Sequence, residues 1–224
     1  MSKQVIALFP EASFGSALNC VGIAQKLQRQ GAVPVFICHP GFSGVFAEYG
    51  FKEYQLPVNK GVQAQTEETW QAFVTAHLEH FNQDPTAQLS TYVAATWDAI
   101  VDTAIQVEAD LEQLLKRIKP DCIVLDNVIM FPAIANTGVP WVRVVSCAET
   151  EIPDANVPPY LSGMAADDPA RPGFEAAYLK VTAAAHLRYN KFRQGCRLAP
   201  LPAGKFLETS PHLNLILAPE AIRH

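Results

Sequence analysis

The chain has 224 residues, 49% of them hydrophobic and 17% charged, with a net charge of -5. That balance can bury a sizeable core and excludes a disordered chain, which needs few apolar residues and a high net charge. Seventeen basic residues against 22 acidic ones leave no basic stripe for a nucleic-acid partner. No run approaches the roughly 18 apolar residues of a membrane span, and the apolar stretch at 5–10 is too short for the core of a signal peptide. The expectation is a soluble, cytoplasmic protein without stable membrane insertion.

In chain order, residues 4–9 form a continuous apolar run ended by Pro10, as in a strand covered on both faces. Residues 17–30 follow with helical period: Leu18, Val21, Ile23, Ala24 and Leu27 on one side, polar residues on the other, and Gly31 as the stop. Asn19 or Ser16 is placed to cap this helix, and Gly15 is read as relieving crowding where the loop turns into it. Residues 33–38 are a second strand, 42–49 a short helix closed by Gly50, and 51–56 a third strand. Strand and helix alternate from the start, the mark of right-handed crossovers in a parallel sheet.

Residues 61–84 read as a polar-rich helix carrying Trp70, Phe73, His77 and Phe81 near one face, broken by Pro85. Residues 86–119 are a long helix whose apolar face runs through Val101, Ala104, Ile105, Leu111, Leu115 and Ile118, with Glu108 interrupting it. A strand at 122–125 ends in Asp126-Asn127. A short helix at 129–136, with a possible kink at Pro132, leads to a strand at 141–146. The stretch 149–172, rich in Pro, Asp, Gly and Ala, reads as a long binding loop. A helix at 173–195 and a strand at 213–217 complete one α/β domain, a Rossmann-like parallel sheet of six or seven strands with helices on both faces.

The five cysteines, Cys20, Cys38, Cys122, Cys147 and Cys196, are scattered without a Cys-x-x-Cys spacing and read as reduced, buried thiols. His77 and His80 are spaced to meet on one helix but lack a third ligand, so no metal site is expected. His39 follows the second strand and is either a base or a partly exposed turn residue. Gly15 and Gly22 do not make a G-x-G-x-x-G turn, and no phosphate-loop motif is present. A nicotinamide or flavin enzyme is therefore disfavoured. In a parallel sheet the C-terminal strand ends share one edge, where ligands bind. Residues 11–19, Asp126, Asn127 and Ser146 are assigned to that edge. Asp126 is read either as a turn or cap residue or as a carboxylate that orients or replaces a general base. The aromatics Trp70, Phe73, Phe81, Tyr92, Trp97 and Tyr160 are expected above the crevice, mostly as core and in part as pocket lining.

Three blocks then carry a resemblance: FGSALNCVGIAQKLQRQGAVPVFICHPGFSGVFAEYGF at 14–51, KPDCIVLDNVIMFPAIANTGVPWVRVVS at 119–146 and HLRYNKFRQGCRLAPLP at 186–202. Their order and spacing resemble the N-terminal, acceptor-binding half of the GT-B fold UDP-glycosyltransferases, which glycosylate macrolides, flavonoids and other small lipophilic molecules. The resemblance implies a Rossmann-like acceptor domain over residues 1–224. It also implies a nucleotide-sugar domain absent from this sequence, so that the chain is one piece of a larger or two-chain enzyme, inactive alone. The co-substrate would be a UDP-sugar bound by that donor domain in cis or trans, with no other cofactor. The acceptor would be a small hydrophobic molecule with a hydroxyl.

The reaction implied is inverting transfer. In many members a histidine in the first loop is the base and an aspartate supports it. Here the histidine position holds Ser16, and the aspartate falls on Asp126. Asp126 and Ser16 are thus the candidate catalytic pair, with Phe14, Gly15, Asn19, Trp70, Asn127, Ser146 and Glu149 around the acceptor. The alternative is a non-catalytic binding module or partner subunit that has kept the fold.

Overall fold

The computed structural model describes residues 3–57, 67–152, 162–165 and 167–217. Six strands, β1 (Val5–Pro10), β2 (Val33–Cys38), β3 (Lys52–Gln55), β4 (Cys122–Asp126), β5 (Trp141–Val145) and β6 (Leu213–Ile216), form one sheet. Their order is β3-β2-β1-β4-β5-β6, and every pairing is parallel. The chain moves outward from β1 to β3, then returns to pair β4 with β1 on its other side. This reversal opens a crevice at the C-terminal ends of β1 and β4, the switch point of a doubly wound fold. The register places Pro10 beside Asp126 there.

Strand alternation divides the core in two. Ala7, Phe9, Val35, Ile37, Ile123 and Leu125 face one side, against α4 (Ala94–Ile118), α5 (Pro132–Ala135) and α6 (Arg171–Gly195). Ile6, Leu8, Phe36, Cys38, Val124 and Val144 face the other, against α1 (Phe14–Arg29) and the 40–51 connection. Helices thus cover both faces, and the internal strands read as almost continuously apolar because both of their sides are buried, with Arg143 inside β5 the exception.

The long helix expected at 86–119 is built from α3 (Pro85–Gln88), one π turn at Leu89–Val93, and α4. Its buried face runs through Trp97, Val101, Ala104, Leu111, Leu114 and Leu115, while Ile105 lies outside it. On α1 the buried positions are Ser16, Ala17, Cys20, Val21 and Ala24, a face rotated from the expected one, and Leu18 is exposed. The short helix expected at 42–49 is instead two 3-10 turns, Pro40–Phe42 and Ala47–Tyr49. The Glu53 carboxylate gathers the segment by accepting from the backbone N–H groups of Gly44, Phe46 and Ala47 at 2.8, 2.7 and 3.0 Å. Such bonds to backbone donors compete with regular helix.

Pro132 starts α5 rather than kinking a longer helix, since a proline fits the first helical position. Of the segment expected to be helical over 61–84, residues 61–66 lie outside the described residues. The rest is α2 (Glu67–His77) followed by a 3-10 turn, Leu78–Asn82. In the 149–172 loop, a 3-10 turn at Glu149–Glu151 is described, whereas 153–161, with Tyr160, lie outside the described residues.

Candidate functional site

The loop from β1 into α1 reaches across the crevice. Glu11 donates its backbone N–H to the Asp126 carbonyl at 2.8 Å, and the Asn127 side-chain amide donates to the Phe9 carbonyl at 3.0 Å. The ends of β1 and β4 are thereby clamped together where the register leaves them adjacent. The N-cap of α1 is Ser13, whose hydroxyl accepts from Ser16 N–H at 3.4 Å, not Asn19 or Ser16. The helix therefore begins one turn earlier than its apolar period suggests. Ser16 becomes a buried first-turn residue whose side chain, not being the cap, turns toward Ser146 and Asp126.

Four polar side chains meet there. Ser146, just past β5, donates its hydroxyl to Asp126 Oδ1 at 2.8 Å. The Ser16 and Ser146 hydroxyl oxygens lie 3.3 Å apart. The Cys20 thiol, one helical turn beyond Ser16, points at Asp126 Oδ2 from 4.0 Å. Asp126 is 3% exposed. Burial pushes its carboxyl from the usual 3.8 up to about 7, the nearby Glu11 and Glu151 carboxylates push the same way, and the bonds from Ser146 and Ser16 oppose the rise. A carboxyl near 7 is poised to take up a proton at neutral pH. Burial next to this carboxylate also raises the Cys20 thiol, so Cys20 stays protonated.

Around this centre, burial raises the Glu11 carboxyl, against a bond from the Ser13 hydroxyl at 3.0 Å. Glu151 is pushed up by burial and pulled down by Arg143, with which it pairs at 3.1 Å. Neither Glu151 nor Arg143 was singled out in the sequence, where Arg143 sits inside an otherwise apolar strand. A lone arginine in a buried strand, which must find a carboxylate, was the signal available.

The other expected site residues divide. Phe14 is exposed on the first turn of α1, its ring 5.2 Å from that of Phe42. A Cβ at Gly15 would meet nothing within 4 Å, so this glycine relieves no crowding. Asn19 is half-buried on α1. Asn127 is buried and spends its side chain on the β1–β4 clamp. Trp70 lies in α2 and Glu149 opens its 3-10 turn, but the side chains of both lie outside the described residues.

His39 is buried against Phe9 rather than partly exposed, with ring centroids 5.5 Å apart. Burial lowers it to about 4, so it is neutral at pH 7. Of the cysteines, Cys20 and Cys38 are buried, Cys122 and Cys196 are half-buried, and Cys147 is exposed. Trp97 is core, stacked on Phe206 at 4.0 Å. Phe73, Tyr92 and Phe81 form a separate aromatic cluster with His77 and His80, whose rings meet at 5.3 Å. Among the described residues no three His, Cys, Asp or Glu side chains gather to hold a metal, and no helix is long and apolar enough to cross a membrane.

The strand order and the helices on both faces define a Rossmann-like α/β domain, a fold shared with half of several solved glycosyltransferases. The solved glycosyltransferase of kitacinnamycin is similar at 15% identity and a TM-score of 0.62, covering 100% of this chain and 48% of its own. Streptomyces sp. SF2575 glycosyltransferase SsfS6 is similar at 11% identity and a TM-score of 0.59, covering 99% and 52%. Spinosyn rhamnosyltransferase SpnG with thymidine diphosphate is similar at 11% identity and a TM-score of 0.51, covering 98% and 46%. The chain thus spans about half the length of these structures. At these identities the likeness is one of fold. No family model matches the chain, and no curated protein does.

Proposed function

We propose that the chain is the acceptor-binding half of an inverting, nucleotide-sugar-dependent glycosyltransferase acting on a hydroxyl of a small lipophilic molecule. The observation that carries this is Asp126 at the crevice, near pKa 7 and bonded to Ser146 beside Ser16. An acceptor hydroxyl must lose its proton as its oxygen attacks the anomeric carbon, and a carboxylate of this basicity suits the task. Ser16 cannot serve as the base itself, because a hydroxyl is not basic at neutral pH.

The donor would be carried by a second domain, in cis or trans. UDP-sugar is the expectation from the resemblance. The thymidine diphosphate seen with SsfS6 and SpnG widens it to pyrimidine nucleoside diphosphate sugars. The native gene product, incubated with UDP- and TDP-sugars and a panel of hydroxylated apolar compounds, should yield glycosides of inverted anomeric configuration by mass and NMR analysis. Retained configuration would overturn the mechanism. Acceptor binding without transfer would favour a non-catalytic binding module, a reading to which the absence of a histidine at Ser16 lends support.

A further inference from the structure

We propose that an acceptor proton reaches Asp126 through the hydroxyl of Ser146, with Ser16 holding that hydroxyl in line. This relay rests on the glycosyl-transfer reading of the site.

Both Asp126 oxygens are covered from within the chain: Oδ1 by Ser146 at 2.8 Å and Oδ2 by the Cys20 thiol at 4.0 Å. With the residue 3% exposed, the carboxylate is reached from the strand-end side through the hydroxyl already bonded to it, that of Ser146. Ser146 is itself half-buried at the end of β5, on the edge where a ligand would lie. Its one proton is directed inward to Asp126, which leaves its oxygen lone pairs to accept a proton from outside. The Ser16 oxygen at 3.3 Å restrains the Ser146 rotor from α1.

In the step, the acceptor O–H proton moves to Ser146 Oγ as the Ser146 proton moves to Asp126 Oδ1. The acceptor oxygen bonds to the anomeric carbon of the nucleoside diphosphate sugar. The anomeric C–O bond to phosphate breaks, and the diphosphate leaves with the electron pair. Ser146 ends as a hydroxyl and Asp126 as a neutral acid. The groups facing Asp126 are Cys20 from α1, Glu11 from the loop after β1, Glu151 from the 149–151 turn, and the two serines. The two carboxylates favour uptake of the proton.

The test compares Ser146→Ala, Ser146→Thr, Asp126→Asn and the Ser146→Ala/Asp126→Asn double variant in the native enzyme. Ser146→Ala is expected to lower kcat by about 10²-fold or more with little change in acceptor KM. Ser146→Thr, which restores the hydroxyl, should recover most of the loss. The double variant should be no worse than Asp126→Asn alone, because members of one relay do not multiply their losses. A Ser146→Ala enzyme with unchanged kcat, or multiplicative losses, overturns the relay and leaves transferase activity standing. A wild-type protein without transfer overturns the function and the relay together. An independent measurement is the carboxyl-carbon NMR titration of Asp126 in the 224-residue chain. Ser146→Ala should move its midpoint upward, since the lost bond favoured the carboxylate. An unmoved midpoint overturns the proposed contact.

Discussion

Arg143 and Glu151 pair at 3.1 Å with their side chains 0% and 4% exposed. The same guanidinium donates to the backbone carbonyls of Val128 at 3.0 Å and Glu208 at 3.3 Å. One side chain in β5 therefore holds three connections at the crevice: the loop after β4, the turn that follows Ser146, and the segment before β6. Glu151 also accepts from the Ala148 N–H at 3.3 Å, which closes that turn on itself.

Removing one partner of this pair strands a buried charge. Glu151→Ala should destabilise the fold by about 3–5 kcal/mol, whereas Arg143→Met combined with Glu151→Leu should cost much less, because apolar replacement of both ions avoids their desolvation. Urea unfolding of the two variants checks this. A double variant less stable than Glu151→Ala would show that the carbonyl contacts of Arg143 matter more than the ion pair.

Asp126 should make the fold lose stability as pH rises. Its folded pKa, about 7, stands above the ordinary 3.8. Below about pH 4 both states are protonated and the group contributes nothing. Between about 4 and 7 the unfolded chain ionises and the folded one resists, which costs roughly 4 kcal/mol in all once pH passes 7. Asp126→Asn removes this slope and can still accept the Ser146 bond, so it should be more stable than wild type at pH 8 and close to it at pH 4. Chemical denaturation at the two pH values measures the difference. Gaining stability by removing a site residue is the usual sign of a group kept for function.

His39 should act in the opposite sense. Its folded pKa is lowered to about 4 by burial. The neutral ring contributes stability that is fully present above about 6.5, and is lost as pH falls from there through 4, where the unfolded chain is protonated first. The loss amounts to roughly 3 kcal/mol. His39→Phe keeps the ring beside Phe9 and removes the titration. The stability difference between wild type and variant, followed from pH 7.5 to 4, should change in favour of the variant as pH falls. A constant difference would exclude a buried neutral histidine.

Lys119 ends α4 in a left-handed conformation, φ 52. A side chain there is strained, and glycine is the residue that helices favour at such an end. Lys119→Gly should stabilise by about 0.5–1 kcal/mol, a rise of about 1–4 °C in Tm for a domain of this size. A fall in Tm would mean that the charge of Lys119 on the helix dipole outweighs the strain.

Six strands and the main helices were legible in the sequence, because their signals are local: apolar runs for doubly covered strands, a 3.6-residue period for helices, and proline or glycine at their ends. The alternation of the elements also implied a parallel sheet, and the position of Asp126 after an apolar strand implied the crevice. Boundaries failed where a single distant group decides them. Glu53 turns 42–49 from helix into two tight turns, and Ser13 starts α1 before its apolar face begins. The surroundings of Asp126 came only from the tertiary structure. Asp126 is raised to about 7 by loss of water and by the Glu11 and Glu151 carboxylates, against the bonds from Ser146 and Ser16, residues that the sequence scatters and the sheet order gathers. A pKa follows distance and burial in space, so the sequence by itself determined which side chains stand at the strand ends. Packing made one of them, Asp126, a buried carboxylate bonded to the Ser146 hydroxyl.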